Sequence, residues 1–382
     1  MTDSLSTRTY RRMPLPGQQP TSTSPPAIPA RHLRIGLLAI VLVSMSACGS
    51  TATPTLDGSS QIGNQAAQAL ARQVNDASAL GHLQALQTIA DSNRGTRAAA
   101  TPGYDSSVDY ATGVLKAAGL DVTTPTYRIE GGTNNDASGN RDSGGDRRGP
   151  LTQRNVIAQT RTGDQNHVVM IGAHLDSVPE GPGIVDDGSG VATVLEIATR
   201  VGASPPVHNA IRFALFGSEE TGAQGSKSYV QSLSSNDEKK IMLYLNVDMV
   251  ASSNAGYFVQ GGTGDGRSET GAPGSETVGQ VLADQLKATG VTPEKIPFVG
   301  DDEGAFIKAG IPTGGAENGD ANRKTVAQAQ TWGGQAGATY DPCYHTRCDR
   351  LSNVNRDVLS HYLRAVAGSV GYFAATATPP PG

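Results

Sequence analysis

Five short segments of this 382-residue chain carry side chains able to ligate metals. They are Ala173-His174-Leu175-Asp176-Ser177, Val185-Asp186-Asp187-Gly188-Ser189-Gly190, Gly217-Ser218-Glu219-Glu220, Asn246-Val247-Asp248-Met249 and Cys343-Tyr344-His345. Imidazole and carboxylate donors suit a borderline cation such as zinc, and together these segments supply enough of them for two zinc ions. A pair of such ions can hold both oxygens of a displacement reaction. Taken singly, each segment has a plainer reading. A histidine after a strand is usually structural, Asp-Asp-Gly is a common turn, and Glu-Glu is usually a solvated face. Order and local setting together make the metal reading the stronger one. His82, His167, His208 and His361 lack such company and read as surface or helix residues.

Each segment lies where a regular element ends. Residues 168–173 read as a buried strand with His174 just beyond it, and Gly188 starts a helix through Val201. Residues 210–216 form a second strand, before Glu219 and Glu220 and a helix over 225–233. A third strand, 241–247, ends at Asp248. Ligands at successive carboxyl ends of strands converge on one sheet edge, where open α/β folds bind their ligands. Residues 276–288 and 355–374 read as covering helices. Upstream, 65–80 has a helical pattern that continues or restarts over 81–90, and 93–97 is a loop. Residues 104–118 are helical and stop at Gly119, as a helix C-terminus does. An alternating strand over 120–129 and a second over 155–160 flank the polar run 131–150, which reads as a long surface loop.

Net charge is −5 and the sequence pI is about 5.8, so nucleic acid is not an expected partner. The content of 47 Gly and 22 Pro fits a site assembled from loops. There are no internal repeats and no sign of a second catalytic domain. At the N-terminus, Arg31, His32, Leu33 and Arg34 precede the apolar run 35–45 and then Ser46-Ala47-Cys48-Gly49. The run is too short for a membrane span but suits a signal-peptide core. Small residues before a cysteine resemble a bacterial lipobox, which makes Cys48 a lipidation site and the membrane a partner. Met45 stands where such motifs usually have Leu, so cleavage to a soluble secreted product stays open. The expected division is an N-terminal extension and signal peptide (1–47), a lipid-anchored flexible tether (48–63), a catalytic domain (64–376) and a short tail (377–382). Location is then the outer face of the membrane. In an exported chain Cys343 and Cys348 pair as a disulfide around His345; free or metal-binding thiols are the alternative.

From Val168 to Asn355 the sequence resembles the secreted bacterial di-zinc aminopeptidases of peptidase clan MH. The residues that carry this are Gly172-Ala173-His174-Leu175-Asp176-Ser177-Val178, Gly181-Pro182-Gly183-Ile184, Asp186-Asp187-Gly188-Ser189-Gly190, and Gln330-Thr331-Trp332-Gly333-Gly334 leading to Cys343-Tyr344-His345. The resemblance implies the zinc-dependent exopeptidase fold, a three-layer α/β/α sandwich around a mixed, mostly parallel sheet. It implies that Asp186 bridges two zinc ions, that His174 and Asp248 complete one site, and that Glu220 and His345 complete the other. Glu219 is then the general base, Tyr344 steadies the developing oxyanion, and the peptide bond between Asp186 and Asp187 is cis. The chemistry agrees, because a water shared by two zincs is a good nucleophile near neutral pH and an adjacent carboxylate can pass its proton to the leaving amine. Asp176 is a candidate partner fixing the tautomer of His174, and Asp187 supports the site from beside the bridging residue. Asp248 and Glu219 can attract a free α-ammonium group, which favours peptides with a free N-terminus.

The expected activity is removal of N-terminal residues, large apolar ones by resemblance, by a monomer. Two departures bear on this. Asp301-Asp302-Glu303-Gly304-Ala305-Phe306 has Glu303 where relatives often have a histidine, which points to altered substrate recognition. Ser360 and Arg364 stand where some relatives bind calcium through carboxylates, so calcium is not carried over. A carboxypeptidase or glutaminyl cyclase of the same architecture is the nearest rival, and the Tyr344 context favours the aminopeptidase. A surface-binding lipoprotein with a vestigial site is the rival of a different class.

Overall fold

A computed structural model of the chain describes residues 58–129, 151–261, 270–377 and 380. The leader, Cys48, the loop 131–150 and most of the tail lie outside the described residues. In chain order the elements are α1 (Gly58–Gln73), α2 (Asp76–Ser92), α3 (Pro102–Ala117), β1 (Asp121–Thr123), β2 (Thr126–Ile129), β3 (Leu151–Arg154), β4 (Val156–Gln159) and β5 (Asp164–His174). Next come α4 (Gly188–Val201), β6 (Asn209–Phe216), α5 (Gln224–Ser232), α6 (Ser235–Glu238), β7 (Ile241–Val247), β8 (Phe258–Gln260) and α7 (Ser275–Ala288). The last are β9 (Glu294–Ile296), α8 (Glu303–Lys308), β10 (Thr313–Glu317), α9 (Val326–Trp332) and α10 (Arg356–Ala375).

The central sheet has the order β1-β4-β6-β5-β7-β10-β8-β9. Its middle is parallel: β5 lies between β6 and β7, and β10 runs parallel beside β7. The outer strands β4 and β1 on one side, and β8 on the other, join antiparallel. This is the mixed, mostly parallel sheet that was expected.

Strand alternation divides the core into two layers. Val169, Ile171, Ala173, Ile211, Phe213, Leu215, Leu243, Leu245 and Val247 face the larger cluster, which α2, α3, α4, α7 and α10 complete. Met170, Ala214, Phe216 and Tyr244 face the opposite layer, where Tyr229 of α5 and Phe306 of α8 pack with them. The Tyr244 and Phe306 rings stack with centroids 3.9 Å apart. Because both sheet faces are covered, the strand ends are the exposed edge where loops can gather.

The structure differs from sequence expectation ahead of the catalytic strands in several places. Helix α1 begins at Gly58, inside the stretch read as tether, because it docks on α10; a Cβ on Gly63 would meet the Tyr372 ring at 2.8 Å. The helical pattern after it breaks at Asn75, whose side chain accepts the Ser78 N–H and caps α2. The strand read over 120–129 is two strands on different sheets, separated at Thr124-Pro125, since proline cannot donate to a ladder. Finally, a further strand, β3, pairs antiparallel with β2 ahead of the strand expected at 155–160. Among the described residues no helix is long and apolar enough to cross a membrane.

Candidate metal centre

Three neighbouring parallel strands deliver their carboxyl ends to one place. His174 is the last residue of β5, rather than just past it, and Asp248 directly follows β7. Glu219 and Glu220 lie on the turn after β6. Asp186 and Asp187 lie just before α4, and the peptide bond between them is cis. Asp187 caps that helix, its Oδ1 accepting the N–H groups of Gly190 at 2.8 Å and Met249 at 3.0 Å. One carboxylate therefore ties α4 to the turn after β7. Close approach here requires glycine, because a Cβ on Gly190 would lie 2.2 Å from the Val247 carbonyl oxygen.

His345 arrives from the far end of the chain, and Asp349 brings it in. Both carboxylate oxygens of Asp349 accept backbone N–H groups, from Val185 at 2.7 Å and Asp186 at 3.0 Å. The Cys343–Cys348 disulfide closes the loop that contains His345, with the two Cα atoms 5.1 Å apart. Ser218, Met249 and His345, each in or beside the ligand set, have φ of 59°, 50° and 56°. Such left-handed backbone is uncommon outside glycine and concentrates at functional sites.

The convergence is close. Asp186 Oδ1 lies 3.0 Å from His174 Nε2, and its Oδ2 lies 3.1 Å from His345 Nε2. His174 Nε2 is also 3.7 Å from Asp248 Oδ1, and His345 Nε2 is 3.0 Å from Glu220 Oε2. The two oxygens of one carboxylate thus face two separate groups, His174 with Asp248 and His345 with Glu220. Ligand atoms of His174, Asp186 and Glu220 all lie within 4.8 Å of one another, as do those of His174, Asp187 and Asp248. Asp187 has one oxygen committed to two amides, which leaves Asp186 the better placed to be shared. The buried Oε1 of Glu220 has no hydrogen-bond partner among the described residues, as expected of a donor directed at a cation.

The supporting contacts are equally specific. His174 Nδ1 lies 3.1 Å from the backbone oxygen of Asp176, while the Asp176 carboxylate stands 3.8 Å away. That carboxylate instead accepts the N–H of Glu219 at 3.1 Å, so Asp176 positions both an imidazole and the adjacent acid. Tyr344 stacks on the His345 ring with centroids 3.8 Å apart. Burial raises its phenol, as do the nearby charges of Asp186 and Glu220.

Sequence reasoning missed two residues. Asp349 is one. Arg97 is the other, fully buried in what read as a plain loop. Its guanidinium donates to the carbonyls of Pro182 at 2.9 Å, Gly183 at 2.6 Å and Leu175, and its own N–H donates to Ser177 Oγ at 3.0 Å. It clamps the two segments that carry His174 and Asp186.

Without cations the cluster holds protons. Burial pushes Glu219 up to about 9, Asp349 up to about 8 and Glu220 up to about 7, with neighbouring carboxylates adding to the effect. Burial opposes charge on His345, but its contacts with Asp186 and Glu220 raise it to about 10. Burial likewise opposes charge on Asp186, yet His174 and His345 hold it below the usual range. The raised acids bind protons in the folded chain at pH values where the unfolded chain has lost them. Raised histidine adds stability that fades as pH climbs towards its folded value. Both effects have one sign between about pH 5 and about pH 9, where metal-free protein becomes less stable as pH rises. Thermal midpoints in chelator at increasing pH should fall, and added zinc should restore more at the alkaline end. A midpoint that climbs across this window would contradict the clustered geometry.

A family model described as Peptidase family M28 matches residues 155–370, which span β4 to α10 and every residue of the cluster. The chain belongs to peptidase family M28. This M28 enzyme is a hydrolase. It is 34% identical over 433 residues to the probable lipoprotein aminopeptidase LpqL of Mycobacterium tuberculosis, a match covering 81% of this chain and 87% of that protein. Among solved structures it is similar to an aminopeptidase from Aneurinibacillus sp. strain AM-1, with a TM-score of 0.62 and 19% identity, over 83% of this chain and 98% of that one. It is also similar to the glutaminyl cyclase of Porphyromonas gingivalis, with a TM-score of 0.57 and 20% identity, over 79% and 98%. At these identities the structural likeness establishes the fold alone.

Proposed function

We propose that this M28 peptidase is an exported aminopeptidase that uses two zinc ions to remove single residues from peptides with a free N-terminus. The observation that carries it is the shared carboxylate: Asp186 turns one oxygen to His174 and the other to His345, each beside a further acid. His174, Asp186 and Asp248 would hold one ion, and Asp186, Glu220 and His345 the other. When bound, the ions polarise the scissile carbonyl and make a water acidic enough to attack near neutral pH. Glu219 takes the proton from that water and returns it to the leaving amine. Its N–H bond to Asp176 keeps it beside the ligands without making it one. The Tyr344 hydroxyl, held protonated, donates to the oxygen that gains charge. Asp248 and Glu219 face the substrate's α-ammonium group, which restricts cleavage to the first residue.

The same proposal places the enzyme as a monomer on the outer face of the membrane, with Cys48 as its lipid anchor. The apolar run 35–45, the Ser46-Ala47-Cys48 sequence and the lipoprotein description of the mycobacterial relative support the anchor and its location.

Zinc-loaded protein should hydrolyse aminoacyl p-nitroanilides and leave their N-acetylated counterparts intact. Cleavage of acetylated peptides from the carboxyl end would establish a carboxypeptidase instead. Release of ammonia from an N-terminal glutamine, with the peptide bond preserved, would establish a cyclase.

A further inference from the structure

The same end of the sheet carries acids that neither the ligand set nor the base requires. Asp301 lies just before α8, Glu303 is that helix's first residue, and Glu317 ends β10, the strand beside β7. The largest charges acting on Asp301 are those of Asp248, Glu303, Glu219 and Glu317, all of one sign. Glu317 in turn feels Asp248, Asp320 and Glu303. Geometry anchors the group: Ala316 pairs with Val247 and its carbonyl accepts the Asp248 N–H at 3.1 Å, which sets Glu317 beside the ligand Asp248. Asp301 and Glu317 are partly exposed, so a ligand can reach them, whereas Glu303 has no exposed surface. Carboxylates gathered out of water are costly unless a cation joins them.

A second observation shows that a donor is missing. Glu303 Oε1 accepts the Gly300 N–H at 2.8 Å, but its Oε2 is buried with no partner among the described residues. Gln260 repeats the pattern: its Nε2 donates to Glu317 Oε2 at 3.0 Å while its own Oε1 is buried without a partner. Buried polar atoms in folded proteins are normally paired. The unpaired atoms here are acceptors set among acids, so the group that fits is a charged donor, an ammonium or a guanidinium.

We propose that Asp301 and Glu317, backed by the buried Glu303, line the pocket for the substrate's first side chain and select lysine or arginine there. The inference rests on the aminopeptidase reading, since that reading puts the first residue's amine against Asp248 and Glu219. Its side chain then extends into the flanking acids. A basic first residue replaces the large apolar one that the family resemblance implies, and the glutamate at 303 is part of the reason.

Norleucine supplies the decisive comparison, because it has lysine's carbon chain without the ammonium. On zinc-loaded enzyme, kcat/KM for lysine and arginine p-nitroanilides should exceed that for norleucine p-nitroanilide by at least about tenfold, since a polar pocket left unpaired discriminates strongly. Glu317→Leu and, separately, Asp301→Ser should lower the lysine value and raise the norleucine value. Lysinamide should protect the zinc-loaded protein against heat more than norleucinamide does, a difference that salt should reduce. Norleucine and leucine substrates cleaved as well as lysine would overturn this inference and leave the aminopeptidase reading standing. A lysine preference that neither substitution alters would remove these residues from the pocket. No cleavage of any free-amine substrate would overturn both readings.

Discussion

Glu219→Gln should lower kcat by between about a hundredfold and ten-thousandfold, the range a general acid–base group supplies, while zinc content and fold persist. Glutamine keeps the shape and the backbone N–H that bonds Asp176, but it cannot accept a proton. Bound ligands and metal are not the cause of the loss, because the proposed ligand on this turn is the neighbouring Glu220, whose Oε2 faces His345. In the metal-free chain burial pushes Glu219 up to about 9, which would leave it protonated and useless as a base near neutral pH. Cations held by the adjoining residues reverse that balance, since a nearby positive charge favours the ionised acid. Under the proposed roles, activity would then depend on metal loading through the base as well as through the water. A Glu219→Gln enzyme that retained a tenth of wild-type kcat with normal zinc content would assign the proton transfer to another group.

Much of this site was visible in the sequence because its parts lie at places with local signals. His174, Glu219, Glu220 and Asp248 follow apolar runs that become β5, β6 and β7, and Gly188 opens a helix as the Asp-Asp-Gly turn suggests. Those runs alternate between two buried layers, so their ends could be placed from composition alone. The supporting residues had no such signal. Arg97 acts on carbonyls 78 to 86 residues away, and Asp349 on amides 163 and 164 residues away. A bond to backbone leaves no trace in the partner's side chain, so neither contact had a motif to reveal it. Helix α9 is a different kind of miss. Its capping box, Thr325 with Gln328, was present as a local pattern beside the Trp332 motif. The acids at 301, 303 and 317 fall between these cases: Glu303 stands out as a departure, but only the pairing of β10 with β7 brings Glu317 beside Asp248.

Arg97→Met should destabilise the metal-free protein by about 3–5 kcal/mol, the usual cost of removing one member of a buried charged network. Methionine fills similar space, so the loss reports polar contacts more than a cavity. The carbonyls of Leu175 and Pro182 lose their donor at once, each buried orphan costing about 1–3 kcal/mol, while that of Gly183 keeps the Gly188 N–H at 3.0 Å. Those costs overlap because the loops can relax together. The arginine's charge matters too: burial disfavours it, while Asp176, Asp349, Asp187 and Asp186 favour it, so its removal leaves four acids with less compensation. Lysine is a poor substitute, because one ammonium cannot reach three carbonyls that a planar fork reaches together. Zinc should recover part of the loss, since it binds only the folded arrangement and supplies positive charge to the same acids. Urea midpoints for Arg97→Met and Arg97→Lys, each with chelator and with zinc, separate these contributions. A chelator midpoint shift worth less than about 1 kcal/mol in either variant would mean that backbone packing, not Arg97, holds the His174 and Asp186 segments together.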